Sequence, residues 1–269
     1  MELFRFASSV YGQPVLLGAS WDLLVWFVGA GVVFVVAHAA YKAITGSRGP
    51  QGFTVRIAES ERVERHRLPD RLYHWMMAAV VLTLLGTGFL PILGWKFEWV
   101  TAHWIAGLVL AALVAGHILR ASFWLDFWSM VLGFEDVRSG WCAVGQAFSR
   151  KGPRPLKPGK YSLLQKLYHV AIACVVLALV ATGSLMLLKI DTPLWRRNPY
   201  WFSDHAWGVI YSIHDFCAMS VITLLIAHVY FALRPEKLWM SRSMIRGWIS
   251  DTDYHTHHDP ARWPQTRGR

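Results

Sequence analysis

Five long apolar segments constrain this chain more than any other feature of its 269 residues. Each is long enough to cross a bilayer, which takes about 20 residues in a helix. Charged residues make up only 16% of the chain, against about 25% in a typical soluble protein. The sequence therefore predicts an all-α integral membrane protein. The predicted spans lie near residues 21–41, 72–93, 101–121, 163–188 and 207–233.

The basic residues predict how the chain is oriented. Of the 27 Lys and Arg residues, 21 fall within residues 44–73, 120–166 and 233–269. Because cytoplasmic loops carry an excess of positive charge, these regions are predicted to face the cytoplasm. The N-terminus then lies outside and the C-terminus inside, as five spans require. The net charge of +10 is explained by these loops, and no nucleic-acid partner is expected.

Several classes of site are disfavoured by the cysteine content. There are three cysteines, and no Cys-x-x-Cys or Cys-x-x-Cys-His sequence occurs. A disulfide framework, a thiolate zinc site, an iron–sulfur cluster and covalently attached haem are therefore not expected. The chain also lacks a glycine-rich phosphate loop.

An internal repeat divides the apolar core into two helical hairpins. Arg71-Leu72-Tyr73-His74 is echoed by Lys166-Leu167-Tyr168-His169, and a Thr-Gly pair ends 14 residues after each of these histidines. The following span of each half carries two more histidines, again 14 residues apart. We predict a four-helix core over residues 72–233, built from halves 72–121 and 163–233. One extra N-terminal transmembrane helix precedes it, within residues 1–45.

The remaining segments are predicted to be cytoplasmic. They are a strap over residues 46–71, a loop over 122–162 and a tail over 234–269. The mixed charges of residues 59–71 indicate a solvated strap. The Trp-rich stretch 123–134 is too short to span, and we predict that it continues the third helix along the membrane surface.

Six histidines lie inside or at the ends of the apolar segments. A titratable side chain at membrane depth is costly and is usually functional; the alternative is a hydrogen bond to a neighbouring helix. Fourteen residues advance a helix by about 21 Å and return the side chain to within about 40° of the same face. Two facing helices could therefore hold two haems at different depths, each between two imidazoles. The six are His74, His103, His117, His169, His214 and His228.

Depth along the helices separates these histidines into two groups. His103 and His214 lie at the outer side, so the outer haem has a single candidate pair. The inner side has four candidates, which are His74, His117, His169 and His228.

A set of motifs spread over residues 65–263 carries a resemblance to a known family. The motifs are Arg71-Leu72-Tyr73-His74-Trp75, Ala102-His103-Trp104-Ile105-Ala106-Gly107, Gly159-Lys160-Tyr161-Ser162-Leu163-Leu164-Gln165-Lys166, Ile213-His214-Asp215, Ala227-His228-Val229-Tyr230, and a tail with Gly247-Trp248, His257-His258, Pro260, Arg262 and Trp263. In these motifs the chain resembles bacterial dihaem cytochrome b subunits of respiratory formate dehydrogenase and the related thiosulfate-reductase and hydrogenase cytochromes.

The resemblance implies which residues act at each site. It implies that His103 and His214 hold the outer haem b and that His74 and His228 hold the inner one. It also implies a quinone next to the inner haem, where the candidate contacts are Tyr161, Ser162, Gln165 and Lys166. For two of these an ordinary role is equally compatible: Ser162 as a helix cap and Lys166 as a cation that reaches the interface.

The sequence departs from the formate-dehydrogenase form by its extra N-terminal helix, by Ser162 in place of an Asn, and by His117 and His169. The repeat maps the pair His74 and His228 onto His169 and His117, which leaves a third haem open. Two macrocycles at one depth would crowd helices packed about 8–10 Å apart, so we predict two haems. His117 and His169 are otherwise expected to support the site.

These observations together predict a cytochrome b subunit that carries electrons across a bacterial inner membrane between its haems and the quinone pool. Its expected partners are lipid, quinone, a catalytic subunit, and an iron–sulfur or multihaem electron-transfer subunit. Two alternatives are a stand-alone haem b quinone oxidoreductase and a non-haem transporter that uses the histidines as a proton relay.

Overall fold

A computed structural model describes residues 2–45, 62–125, 127–149 and 156–265. Within these residues, five helices have the length and apolar composition to cross a membrane. Their bounds are α1 Leu23–Ile44, α2 Leu68–Phe89, α3 Trp99–Phe123, α5 Leu163–Met186 and α6 Asp204–Leu233. Each lies within four residues of the predicted span, so the all-α membrane fold is confirmed. Between the third and fourth of these helices lies an amphipathic helix, α4, Phe134–Ser149.

Short elements at both ends of the chain complete the described structure. Strands β1 Phe4–Ser8 and β2 Pro14–Ala19 form an antiparallel hairpin before α1. Strand β3 Arg62–Glu64 pairs with β4 Trp248–Ser250. Helices α7 Leu238–Arg246 and α8 Asp251–His257 flank β4. The end of α7 is set by Gly247, whose φ of +91° is the left-handed conformation that terminates a helix.

The chain divides into two compact units, which are described separately. The first unit comprises Met1–Ser47, Tyr73–Gly116 and Ile172–Phe231. One of its apolar clusters is formed by Leu110, Val114 and Val176, which joins α3 to α5. A second is centred on the fully buried Met219 of α6 and includes Ala19 and Leu23. The N-terminal hairpin and α1 are therefore packed into the core of this unit.

The second unit comprises Arg48–Leu72, His117–Ala171 and Ala232–Arg269. Its apolar cluster is formed by Val63, Ile249 and Tyr254, with Trp239 and Trp263 packed against them. Arg65 is buried here, and its guanidinium donates to Nε2 of His258 at 2.8 Å. The strand pairing and the cluster thus join the strap to the tail.

Three predictions for the connecting segments were wrong or incomplete. The third helix ends at Phe123, and only a short 3-10 turn, Phe127–Met130, occurs before α4. The strap is not simply solvated, since β3 pairs and Arg65 is 2% exposed. The loop contains α4, and the N-terminal hairpin had not been predicted. Residues 46–61 of the strap, 150–155 of the loop and 266–269 of the tail lie outside the described residues.

Candidate functional site

The two histidines predicted at the outer side face each other in the first unit. His103 near the start of α3 and His214 in α6 have ring centres 6.4 Å apart and ring planes inclined at 68°. Both are partly buried. The structure therefore brings together, from two halves of the sequence, the pair that depth along the helices had left as the single candidate for the outer site.

A threonine orients each of these rings. Thr87 Oγ1 lies 2.8 Å from His103 Nδ1, and Thr182 Oγ1 lies 2.9 Å from His214 Nδ1. Each hydroxyl also donates to a carbonyl one turn earlier on its own helix, Thr83 for the first and Ala178 for the second. Because the hydroxyl proton is used there, Oγ1 accepts from an Nδ1–H. The lone pair of each ring is then on Nε2, the form in which imidazole binds a metal.

A glycine follows each of these threonines and lies beside the same ring. A Cβ atom at Gly88 would lie 3.5 Å from His103 Cε1, and one at Gly183 would lie 3.4 Å from His214 Cε1, both ordinary van der Waals distances. The threonine of each Thr-Gly pair therefore has the defined role, a hydrogen bond to the ring, while the glycine adjoins the ring without being required there. The repeat contains the pair, but its spacing alone does not reveal this role.

An apolar cavity of about 490 Å³ adjoins the same two histidines. Its volume falls within the usual range of cofactor pockets, about 300–1,000 Å³. Its lining includes Gly88, Gly107 and Gly183, together with aliphatic side chains of α2, α3, α5 and α6. The site thus combines two metal-binding imidazoles with apolar walls, which suits a flat hydrophobic macrocycle.

A cation from the N-terminal hairpin also lines this cavity. Arg5 donates from Nε to the carbonyl of Ala19 at 2.7 Å and forms an ion pair with Asp215 at 3.3 Å. Asp215 directly follows His214 and also accepts from the Ala19 amide. Arg5 was not among the predicted site residues, because the internal repeat does not include the first 22 residues.

The other four histidines form two further facing pairs. In the first unit, His74 of α2 and His228 of α6 have ring centres 6.2 Å apart. In the second unit, His117 of α3 and His169 of α5 have ring centres 6.3 Å apart. All six predicted histidines therefore occur in pairs with nearly the same separation.

That separation is the one expected if each pair were to hold a single metal between its two rings. A metal–imidazole bond of about 2.0–2.1 Å and roughly 1.1 Å from nitrogen to ring centre give about 6.3 Å between two ring centres. Among the described residues, no three His, Cys, Asp or Glu side chains are grouped closely enough to hold an ion by themselves. Two protein ligands per site suit a cofactor such as haem, which supplies the remaining ligands itself.

Comparison with known proteins decides the class of cofactor. Residues 65–247, more than half of the chain, match the prokaryotic cytochrome b561 family. The chain belongs to this family. It is a multi-pass membrane cytochrome b that binds haem b, and its function is electron transfer.

Two relatives of this cytochrome b identify its type. It is 24% identical to the formate dehydrogenase cytochrome b556 subunit of Haemophilus influenzae, over 78% of this chain and 85% of the relative. It is 23% identical to the formate dehydrogenase cytochrome b556(fdo) subunit of Escherichia coli, over 76% and 92% respectively. The resemblance stated from the motifs is thereby confirmed: this membrane cytochrome b is similar to the cytochrome b subunits of bacterial formate dehydrogenases.

The residues predicted to contact quinone lie at the start of α5, in the second unit. Gln165 Oε1 accepts from the Ser162 backbone amide at 2.9 Å, and Gln165 Nε2 donates to Met240 Sδ. Tyr161 lies beneath the ammonium of Lys160. The Gln165 side chain thus already caps the first turn of α5. This contact gives no evidence for or against a role in binding quinone.

Lys166 is held by an ion pair that sequence analysis did not foresee. Its ammonium donates to Asp136 of α4 at 2.7 Å and to the Val131 carbonyl at 2.9 Å, and both side chains of the pair are less than 10% exposed. Burial opposes ionisation of Asp136, but the bonds from Lys166 and the Gly133 amide, with the charge of Arg262, outweigh it and lower its pKa. Lys166 is therefore buried and paired with a carboxylate of α4.

Proposed function

We propose that this chain is the membrane subunit of a respiratory oxidoreductase complex and exchanges electrons between a partner subunit and the quinone pool. The observation that carries the proposal is the outer site, where His103 and His214 are held by Thr87 and Thr182 beside an apolar cavity. Two relatives are named as subunits of formate dehydrogenase, which supports an assembly with catalytic and iron–sulfur subunits.

The base assignment has two haems in the first unit. His103 with His214 would hold the outer haem, and His74 with His228 would hold the inner one. When bound, haem b supplies reversible one-electron chemistry. On α6, His214 and His228 are 14 residues apart, so the two sites are separated by about 21 Å along that helix. This spacing supports electron transfer between the two sides of the membrane.

The polypeptide controls each site through hydrogen bonds and charge. Thr87 and Thr182 keep Nδ1 protonated, which leaves Nε2 of each outer ring available as a ligand. Arg5 brings a positive charge to the outer cavity, where Asp215 holds it in place. The apolar walls exclude water, and a lower local dielectric strengthens the effect of both groups on the potential of the site.

Quinone is proposed to bind near the start of α5, with Tyr161, Ser162, Gln165 and Lys166 as contacts. Gln165 lies one turn before His169 on α5, so the two side chains share a helix face. The buried pair of Lys166 and Asp136 places an ammonium and a carboxylate beside this turn. These two groups can hold a proton close to the quinone oxygens, because α4 and α5 bring them within hydrogen-bond distance of each other.

The membrane placement is part of the proposal. The Lys- and Arg-rich segments are assigned to the cytoplasmic face of the bacterial inner membrane, with the N-terminus outside. Cysteine-labelling of Ser139→Cys and Asp191→Cys in intact cells tests the orientation. Labelling of the 191 site alone from the outside is expected, and labelling of the 139 site instead would reverse the assignment.

The quinone assignment is tested with two variants of Gln165 in the full-length protein. Gln165→Glu keeps an oxygen that caps Ser162 but replaces the neutral amide, whereas Gln165→Leu removes both functions. Both variants are expected to retain haem and to slow haem reduction by a water-soluble quinol. If Gln165→Glu has wild-type quinol kinetics and only Gln165→Leu is impaired, the residue is a helix cap and the assignment is wrong.

A further inference from the structure

We propose that His117 and His169 bind a third haem, in the second unit, so that the chain carries three haems rather than two. The inference rests on the proposed function only for the identity of the cofactor. The base expectation of two haems came from crowding between packed helices. The separation of the two rings, which the sequence could not give, now argues for a third site.

The geometry of this pair matches that of the other two. The ring centres of His117 and His169 are 6.3 Å apart, between the 6.2 Å and 6.4 Å of the first-unit pairs. The ring planes are inclined at 57°, between 47° and 68°. If one of the three separations accommodates an iron between two imidazoles, all three do.

A direct hydrogen bond between the rings would require a shorter separation. A bond of about 2.9 Å between two ring nitrogens, with roughly 1.1 Å from each nitrogen to its ring centre, gives about 5.1 Å at most. The observed separation of 6.3 Å is larger than this. The excess is about the amount by which two metal–nitrogen bonds together exceed one hydrogen bond between the two nitrogens. The gap therefore suits an atom that both rings bind.

The position of the pair makes an empty gap costly. His117 and His169 lie on α3 and α5, two of the helices long and apolar enough to span the membrane. Both rings are partly buried, and a polar group at membrane depth needs a partner. A haem iron would satisfy one nitrogen of each ring at once.

The internal repeat supports a third site independently of the distances. Exchange of the two hairpins replaces His74 by His169 and His228 by His117. The third pair is therefore the repeat image of the pair at His74 and His228. The outer pair is its own image, because the exchange replaces His103 by His214. A repeat of this kind therefore relates two pairs to each other and the outer pair to itself, which predicts the same role for His117 and His169 as for His74 and His228.

The experiment is the haem content of the purified full-length protein, measured as pyridine haemochrome per chain. We expect about three haems in the wild type and about two in both His117→Ala and His169→Ala. His38→Ala is the matched control, because His38 is also a membrane-helix histidine but bonds Tyr230 at 2.9 Å rather than facing a second histidine. It should retain about three.

A second variant decides the outcome if the alanine variants do not fold. His169→Met keeps an axial ligand, so haem content should stay at about three while one component of the redox titration moves to higher potential. About two haems in the wild type, or no change in haem content in His117→Ala and His169→Ala, would overturn the third site. A protein with no haem at all would instead refute the proposed function.

Discussion

The two halves of the repeat agree around the outer histidines, His103 and His214. They differ at their basic ends, where Arg71 begins the repeated motif of the first half and Lys166 that of the second. In both halves a threonine bonds the outer histidine, at 2.8 Å and 2.9 Å, and a glycine follows that threonine beside the ring. At the other end, Arg71 donates to the Ile245 carbonyl, whereas its counterpart Lys166 pairs with Asp136. The surroundings of the two outer histidines thus match, while each basic end has its own polar partners.

The largest expected effect is loss of the outer haem. His103→Ala and His214→Ala should each remove one haem, because either change leaves the iron with a single protein ligand. The two variants should lose the same amount of haem, because the threonine contacts of the His103 ring and the His214 ring match. Pyridine haemochrome content measures this, with His38→Ala as the control. Loss in only one of the two variants would break the equivalence of the halves.

The basic ends should respond unequally to loss of a carboxylate. Asp136→Ala leaves the buried Lys166 ammonium without its ion-pair partner, at a cost of about 3–5 kcal/mol. Asp70→Ala removes the partner of Arg120 in the first half, where both side chains are 21% exposed, and should cost only about 1 kcal/mol. Thermal unfolding in detergent compares them, and equal costs would show that burial does not distinguish the two ends.

Acid should weaken the second unit. Arg65 donates to His258 Nε2, and His258 Nδ1 donates to the Gly159 carbonyl, so the native ring is neutral. Burial lowers the pKa of His258 to about 4 from 6.5, and the charge of Arg65 contributes. Stability from the neutral ring is therefore complete above pH 6.5 and is lost as the pH falls towards 4, by about 3 kcal/mol.

The measurement is unfolding at several pH values in that window. His258→Asn keeps polar groups but does not titrate, so its stability should change much less with pH. An identical pH dependence in wild type and variant would show that another group is responsible.

The smallest effect is expected from the threonines. Thr87→Val and Thr182→Val keep the side-chain shape but remove the bond to Nδ1, which is worth about 1 kcal/mol each. Both variants should bind the outer haem less tightly and shift its midpoint potential in the same direction. Redox titration checks this, and opposite shifts would mean that the two rings are not held in the same way.

The sequence predicted the helices and the outer histidine pair because apolar length, spacing and depth along the helices follow from periodicity, whereas the pairing of His74 with His228 was implied only by the family resemblance. Apolar length defines a span, and 14-residue spacing defines a helix face. It did not predict the hairpin Phe4–Ala19, whose Arg5 reaches Asp215 across 210 positions. Nor did it predict the pair of Lys166 and Asp136, because α4 and α5 meet through tertiary packing that no local pattern records.

The number of haems also lay beyond the sequence. The repeat generated His117 and His169 as a candidate pair, but helix packing distances argued against a second site at that depth. The proposal of a third site rests on the separation of the two rings, which no sequence pattern gives. The quinone contacts remain a prediction, since Gln165 and Lys166 both already bond to other parts of the protein.

The central claim is that facing histidines are the axial ligands of the haems. Electron paramagnetic resonance with near-infrared magnetic circular dichroism on the oxidised, purified protein tests it most directly. The account predicts that all iron is low-spin with two imidazole ligands, and that His103→Ala converts one fraction to another ligation state or loses it. High-spin iron or a methionine-ligated haem as the main species in the wild type would contradict the account.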